Sequence, residues 1–311
     1  MILVAGSANL DFVVRAQHIP GPGETVLGRD FQTFAGGKGA NQAVACARAG
    51  GVDTHFLAAF GQDAFSVPLE ASLSEAGVVL HDIRVAEHPT GTAFICVSDD
   101  GENAITVAPG ANQALQPAHL PPLTGFTHLL MQLETPLATV VGMARAARSA
   151  GLAVVLNAAP AQALDADVLA LLDILIVNEG ELATVADHRG SIAECLARIA
   201  VPTVIVTLGQ HGCCARSGGL HYLQPAFAVK PVDTTGAGDT FCGALVAALS
   251  SGAVMGDALR QANAAGALAC TRLGAQASIP ARSEVLDFLS GSGPDNAAAT
   301  DALRQFCGLS G

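Results

Sequence analysis

The chain has 311 residues, half of them hydrophobic, so it is long enough to fold as one large α/β domain with a substantial core. Its formal net charge is −12 and no block rich in Lys or Arg occurs, which argues against nucleic acid and anionic membranes as partners. The eight cysteines show no Cys-x-x-Cys pair and no zinc-finger spacing, so reduced thiols are a better interpretation than a metal or disulfide framework.

The N-terminal segment, residues 1–6, is a short apolar run without a basic region, and it is soon followed by Asp11. This pattern fits a first β-strand better than a signal peptide, and we therefore expect a soluble, cytoplasmic protein. Other apolar runs, such as residues 174–177, are far shorter than the roughly 20 residues that a membrane helix needs. The sequence thus predicts no membrane-spanning segment.

Short aliphatic runs alternate with stretches of helical spacing along most of the chain. The runs predict buried parallel strands at residues 2–5, 55–60, 128–132, 153–157, 174–178 and 203–207. The clearest helices are predicted at residues 39–49, 65–76, 136–150, 192–200, 237–250 and 257–272. This alternation predicts a three-layer α/β/α sandwich around a mainly parallel central sheet.

Two segments interrupt the alternation, at about residues 11–34 and 91–107, and both carry period-2 patterns. Asp100-Gly101 lies between two such runs and is a hairpin-turn signal. These segments predict a small β-sheet that could act as a lid over a crevice and exclude water, and an edge extension of the main sheet is the alternative. We assign residues 1–290 to one domain with the lid segments inserted, and residues 291–311 to a peripheral C-terminal tail.

The strongest local signal is the segment 232–245, in which Gly236 and Gly238 open a predicted helix. Two glycines at a helix start let several N–H groups point at one anion, and the helix dipole adds positive potential, so the segment can form a phosphate cradle without lysine. Asp239 lies in the first turn, where a carboxylate could accept the proton of an attacking hydroxyl. Taken alone, such an aspartate is more often a helix-capping residue. The dinucleotide fingerprint is excluded because Phe241 stands where it needs Gly or Ala, and no Gly-x-x-x-x-Gly-Lys-Ser/Thr loop occurs.

Two further clusters suggest a site for a small polar ligand. Residues 35–42 open a helix of small residues, and Asn41 offers a donor and an acceptor to a hydroxyl group, although a tight loop with a solvated Lys38 is the alternative. Residues 7–11 lie at the carboxyl end of the first strand, where open α/β sheets bind ligands. Asn9 and Asp11 could therefore bind vicinal hydroxyls, and turn capping by Asn9 is the alternative.

With these motifs together, the chain resembles the ribokinase-like (PfkB-type) family of carbohydrate kinases over nearly its full length. Residues 36–41 and 233–241 match the two signatures of the family in the expected order, and residues 6–11, 22–26, 110–112 and 131–136 extend the similarity. The match is weaker at residues 218–229 and beyond residue 290. The resemblance implies a ribokinase-like fold and an ATP-dependent transfer of a phosphoryl group to a sugar hydroxyl.

The resemblance implies that Asp239 is the general base and that the backbone of Gly236, Ala237 and Gly238 forms an anion hole. It implies O5 of D-ribose as the acceptor, with deoxyribose, fructose and adenosine still open because a few pocket side chains decide among them. A non-catalytic sugar- or nucleotide-binding protein is a further alternative, but it would be expected to lack the base. The residues implied to contact the sugar are Asn9, Asp11, Gly37, Lys38, Asn41, Glu134 and Asp239.

The nucleotide side follows from the same resemblance. It implies Mg²⁺ near Asn178 and Glu181, bound through water, and contacts to ATP from Asn178, Thr207, Gly209, Gly212, Gly238 and Asn263. Without the resemblance, Asn178 and Glu181 would be the start of a helix. An activating K⁺ is implied at Asp233, Thr235, Ala269, Arg272, Gly274 and Ser278, with Arg272 contributing only its carbonyl oxygen. A homodimer through the lid sheet is implied as well.

Overall fold

The structure is a computed structural model that describes residues 1–292 and 296–309 of the chain. The strands are β1 (Ile2–Ala5), β2 (Asn9–Arg15), β3 (Arg29–Gly36), β4 (Thr54–Gly61), β5 (Val79–Val85), β6 (Gly91–Val97), β7 (Asn103–Ala108), β8 (His128–Met131), β9 (Ala153–Asn157), β10 (Ile174–Asn178), β11 (Thr203–Thr207), β12 (Gly212–Ser217) and β13 (Leu220–Pro225). The α-helices are α1 (Lys38–Arg48), α2 (Ser66–Glu75), α3 (Leu137–Ser149), α4 (Ala166–Leu169), α5 (Glu179–Val185), α6 (Ile192–Arg198), α7 (Ala237–Ser250), α8 (Met255–Ala269), α9 (Ala275–Ser278), α10 (Arg282–Gly291) and α11 (Ala297–Phe306).

The main sheet has nine strands in the order β13-β12-β11-β10-β9-β8-β1-β4-β5. The strands from β11 to β5 run parallel, whereas β12 and β13 are antiparallel. Successive side chains of a strand enter different cores: Leu3 and Ala5 belong to the core shared with α3 to α6, and Ile2 and Val4 to the core shared with α1, α2, α7 and α8. The predicted three-layer α/β/α sandwich is therefore confirmed.

A second sheet of four strands has the order β3-β2-β6-β7. β2 pairs in parallel with β6, and the other pairs are antiparallel. The hairpin between β6 and β7 turns at Gly101, which has a φ of 88° and follows Asp100 as predicted. The prediction of a separate small sheet is thus confirmed, and the alternative of an edge extension of the main sheet is wrong. β2 starts just after β1 and β3 ends just before α1, so the small sheet is joined to the main body at the carboxyl end of β1.

The C-terminal part of the chain contains α10 and α11. Of the tail predicted as peripheral, residues 293–295 and 310–311 lie outside the described residues. Within the described part, Leu303 and Cys307 are buried in the same core as α3 to α6. A helix long and apolar enough to span a membrane does not occur in residues 1–292 and 296–309.

Candidate active site

Polar residues stand at the carboxyl ends of several parallel strands of the main sheet. Gln132 follows β8, Asn157 ends β9, Asn178 ends β10 and Thr207 ends β11. Parallel strands end at a common edge of a sheet, so these residues lie on the side where β1 leads into Asn9 of β2. This edge carries the candidate site.

A turn packed closely against the end of β1 gathers the first group of site residues. The Ser7 hydroxyl donates a hydrogen bond to Glu134 Oε2 at 2.6 Å, and the Lys38 backbone N–H donates to the same oxygen at 3.1 Å. Gly37 precedes α1 with a φ of 89°, and a Cβ at this position would lie 2.6 Å from the Asn9 backbone nitrogen. Glycine is required there for both reasons, and the close turn brings Asn9, Glu134 and Lys38 together.

Asp11 projects from β2 into a strongly acidic environment. It is buried, and burial raises its pKa to about 7, with further contributions from the negative charges of Glu134 and Asp239. The Lys38 ammonium is half-buried beside the same groups, and the charge of Asp239 raises its pKa although burial acts in the opposite direction. Carboxylates are hydrogen-bond acceptors, so this cluster is suited to a ligand that carries several hydroxyl donors.

Asp239 lies in the first turn of α7, with its carboxylate held by two amide groups from α1. Asn41 Nδ2 donates to Oδ2 at 2.9 Å, and Gln42 Nε2 donates to Oδ1 at 2.9 Å. Gly236 is the N-terminal cap of α7 and has a left-handed φ of 74°. A Cβ at Gly243 would lie 2.6 Å from the Gln42 carbonyl oxygen, so a glycine at this position of α7 allows α1 to come close enough for these bonds.

A small cleft of about 150 Å³ opens in front of this helix start. Across the cleft, Asn178 Oδ1 accepts a hydrogen bond from the Glu181 N–H at 2.8 Å, and Glu181 Oε2 accepts one from the Asn178 N–H at 2.8 Å. Burial raises the pKa of Glu181, although the bond from Asn178 and the charge of Lys38 oppose the rise. The cleft therefore places carboxylate oxygens opposite the N-terminal end of a helix. Its lining includes Lys38, Asn178, Glu181, Thr207, Gly238 and Asp239.

Comparison with known proteins identifies the family. The family model described as pfkB family carbohydrate kinase matches residues 1–282, which is most of the chain and includes every residue of the cleft. The chain belongs to the pfkB family of carbohydrate kinases. The match therefore covers both the acidic cluster and the cleft.

Proteins similar to this kinase include ribokinases. The ribokinase of Haemophilus influenzae is 39% identical over 300 residues, which cover 93% of this chain and 98% of the relative. The ribokinase of Bacillus subtilis is 38% identical over 294 residues, which cover 93% of this chain and 99% of the relative. Chain coverage of this extent shows that the likeness is not restricted to a nucleotide-binding segment.

Solved structures show the same likeness in three dimensions. Ribokinase from Thermotoga maritima superposes with a TM-score of 0.86 at 37% identity, covering 93% of this chain and 99% of the other. The structure of Arabidopsis thaliana ribokinase complexed with ribose and ATP gives a TM-score of 0.86 at 32% identity, covering 94% of this chain and 99% of the other. The ribokinase-like fold of this kinase is thus confirmed.

The remaining residues predicted to contact ATP lie near the end of β11 but outside the cleft. Gly209 opens a 3-10 turn after β11, and Gly212 begins β12 with a φ of 106°. Asn263 lies in α8, and its Nδ2 donates to the Pro225 carbonyl oxygen at 2.9 Å. The structure therefore brings Asn178, Thr207 and Gly238 into one cleft, whereas Gly209, Gly212 and Asn263 do not line it.

The residues predicted to bind K⁺ come together in two adjoining loops. Asp233 Oδ1 accepts a hydrogen bond from the Thr235 N–H at 2.9 Å, and Oδ2 accepts one from the Gly274 N–H at 2.9 Å. Burial alone would raise the pKa of Asp233, but these bonds outweigh it and lower the pKa. The Arg272 guanidinium forms an ion pair with Glu284. Ala269 ends α8 and Ser278 ends α9, at the two ends of the second loop.

A larger groove of about 690 Å³ lies between the small sheet and these loops. Asp11 lines it from β2, and Asp233, Thr235 and Gly274 line it from the opposite side. Asp11 therefore belongs both to the acidic cluster and to the lining of this groove.

Several polar residues that support the site were given no role by sequence reasoning. Asn112 Nδ2 donates to Asn9 Oδ1 at 2.8 Å, and the Ser7 hydroxyl holds Glu134. Gln42, Gln132 and Asn157 form a buried chain of amides that ends on Asp239. A usable signal existed for Gln132 and Asn157, because each is a polar residue at the end of an apolar strand.

Proposed function

We propose that this pfkB-family kinase transfers the γ-phosphoryl group of ATP to O5 of D-ribose, giving ribose 5-phosphate. The observation that carries the proposal is the carboxylate of Asp239, held by Asn41 at the N-terminal end of α7 and facing the cleft. A carboxylate in the first turn of a helix can take a hydroxyl proton while backbone N–H groups at the helix start stabilise charge on the moving phosphoryl group. The names and extent of similarity of the relatives favour ribose as the acceptor.

We assign the sugar to the acidic cluster beside Asp239. The ribose hydroxyls would donate hydrogen bonds to Asp11 and Glu134, and the amides of Asn9 and Asn41 would supply further contacts, with Gly37 and Lys38 lining the turn. Asn41 Oδ1 is buried and has no hydrogen-bond partner within the described residues, so a substrate hydroxyl would satisfy it. The small sheet would act as a lid that excludes water from the phosphoryl transfer.

We assign the triphosphate to the cleft, where the backbone of Gly236, Ala237 and Gly238 would form the anion hole. Asn178 and Glu181 would hold Mg²⁺ through water, and carboxylate and amide oxygens suit this hard cation. When bound, Mg²⁺ neutralises charge on the phosphates as the phosphoryl group moves. Thr207, Gly209, Gly212 and Asn263 would contact the rest of ATP.

Three further assignments complete the proposal. K⁺ would be held by oxygens of Asp233, Thr235, Ala269, Arg272, Gly274 and Ser278, and the Asp233 carboxylate supports this because it already bridges both loops. A homodimer would form through the small sheet, which is supported by the exposed side chains of Phe31, Phe94 and Ile105. A cytoplasmic location is supported by the eight free cysteines.

The test is an ADP-release assay with D-ribose, deoxyribose, fructose and adenosine as acceptors, with and without K⁺. D-ribose should give the highest kcat/KM, and Asp239→Asn should lower kcat about 10²- to 10⁴-fold, as expected for loss of a general base. Asp257→Asn is the matched control, because Asp257 also lies in the first turn of a helix, at an exposed position of α8. A better acceptor than ribose would overturn the substrate assignment, and near-normal turnover of Asp239→Asn would overturn the mechanism.

A further inference from the structure

Gln42 is fully buried and joins Asp239 to two other amide side chains. Its Nε2 donates to Asp239 Oδ1 at 2.9 Å and to Asn157 Oδ1 at 2.9 Å. Its Oε1 accepts a hydrogen bond from Gln132 Nε2 at 2.6 Å. Both N–H groups and the carbonyl of this amide are therefore engaged, and one of the three bonds ends on the proposed catalytic base.

The direction of this chain is fixed by a backbone carbonyl at its far end. Asn157 Nδ2 donates to the Ile176 carbonyl oxygen at 3.1 Å, and a carbonyl oxygen can only accept. Asn157 must therefore turn its Oδ1 toward Gln42, and Gln42 must donate a hydrogen bond to it from Nε2. The second N–H of that nitrogen then points at Asp239. The hydrogen bond to the Ile176 carbonyl oxygen thus fixes the orientation of the Gln42 amide, and the orientation with Oε1 and Nε2 exchanged is excluded.

The same direction leaves an unsatisfied acceptor on the other side. Because Gln42 Oε1 faces Gln132, Gln132 must present its Nε2, and its Oε1 is left buried without a hydrogen-bond partner within the described residues. Gly6 makes room for this oxygen, since a Cβ there would lie 2.0 Å from it. Leaving a buried acceptor unsatisfied destabilises a protein. The unsatisfied Gln132 oxygen therefore accompanies the same set of hydrogen bonds that turns the Gln42 N–H toward Asp239.

We propose that Gln42 is a positioning residue that acts through Asp239, an inference that rests on the proposed function. With Gln42 on Oδ1 and Asn41 on Oδ2, both carboxylate oxygens face N–H donors. A proton placed on an Asp239 oxygen and pointing toward Asn41 or Gln42 would face an N–H donor rather than an acceptor. The two bonds thus fix the plane of the carboxylate, and the proton of the sugar hydroxyl is received on a lone pair that remains free.

The first experiment replaces Gln42 with leucine and measures kcat and KM for D-ribose. Leucine has a similar size but no donor, so Asp239 loses one hydrogen bond to a charged group. We expect kcat to fall about 10- to 100-fold while KM for ribose stays within about 3-fold, because the lost bond orients the base rather than the sugar. A kcat within 2-fold of the parent enzyme, or a loss carried entirely by KM, would overturn the inference.

The second experiment compares Gln42→Glu with its matched control Gln132→Glu across pH 5 to 9. A carboxyl at residue 42 would share a proton with Asp239, so the low-pH limb of the kcat/KM profile should move up by about one pH unit or more. Gln132→Glu places the carboxyl one amide further from Asp239, so it should move this limb by less than half as much. Equal displacements would mean that any buried charge has this effect, and the inference would fail.

Two measurements separate the possible failures. Thermal unfolding of each variant, at the pH of the assay, checks that a loss of activity does not come from unfolding. Asp239→Asn is assayed in the same series: if it is inactive and both Gln42 variants are normal, the positioning role is wrong while the proposed function stands. If Asp239→Asn retains near-normal turnover, Asp239 is not the base, and both the proposed mechanism and the positioning role of Gln42 are wrong.

Discussion

Replacing Asp11 with asparagine should stabilise the free enzyme at alkaline pH and weaken its binding of sugar. The pKa of Asp11 is raised from 3.8 to about 7 in the folded protein, mainly by burial. Below pH 4 the carboxyl is protonated in both folded and unfolded chains, so it costs nothing. Between pH 4 and 7 the carboxyl is ionised in the unfolded chain but still protonated in the folded one, so the free energy of unfolding falls by about 1.4 kcal/mol per pH unit. Above pH 7 the loss reaches a plateau of about 4 kcal/mol.

Asp11→Asn removes this penalty. The difference in free energy of unfolding between the variant and the parent enzyme should therefore grow by about 3 kcal/mol between pH 5 and pH 8. At roughly 2 °C per kcal/mol, the variant should gain about 5 °C more in Tm at pH 8 than at pH 5. Differential scanning calorimetry of the free enzyme at the two pH values measures this difference. Asp30→Asn is the control, because Asp30 is an exposed acid on the neighbouring strand β3. An equal gain at pH 5 and pH 8, or a matching gain in the control, would refute the reasoning.

Three other substitutions test separate parts of the structure. Gly36→Ala should raise KM for ribose at least 10-fold without loss of folding, because the new Cβ would lie 2.2 Å from Asp11 Oδ2; an unchanged KM would contradict the placement of that carboxyl. Arg216→Met should lower the free energy of unfolding in urea by about 1–3 kcal/mol, since the guanidinium bonds three backbone carbonyls, with Arg216→Lys expected between the two. Phe306→Ala should raise KM for ATP about 2- to 10-fold and leave KM for ribose unchanged, because Phe306 stacks on His211 in the turn after β11 at 4.1 Å; equal changes in both constants would speak against a local effect.

The sequence predicted the parallel strands and the helices around the site because these elements are marked by uninterrupted apolar runs or by glycines at helix starts. The helix predicted at 237–250 has those bounds in α7. β5 was missed because it is an edge strand that carries His81, Asp82 and Arg84 among its apolar residues. The hairpin of β12 and β13 was missed because the apolar run of β12, from Cys213 to Ala215, is only three residues long and is followed by Arg216 and Ser217.

The site itself was predictable residue by residue, but its connections were not. Asn41 and Asp239 could be singled out from their motifs, whereas the bond between them depends on how closely α1 packs against α7. The chain through Gln42, Gln132 and Asn157 depends on β8 and β9 being neighbours in the sheet, and strand order is set by the whole fold. A sequence pattern marks which residues are polar at strand ends, and only the three-dimensional structure shows which of them are joined by hydrogen bonds.

The C-terminal helices show that the end of the family model and the end of the folded domain are different positions in this chain. The family model ends at residue 282, which is the first residue of α10. The folded unit continues beyond it: Val285 is buried, Glu284 pairs with Arg272, and Leu303 of α11 is buried together with Cys307, which directly follows this helix. A chain shortened to the end of the family model would therefore lack residues that are buried in the core. Where this enzyme can be cut or fused is decided by burial, not by homology.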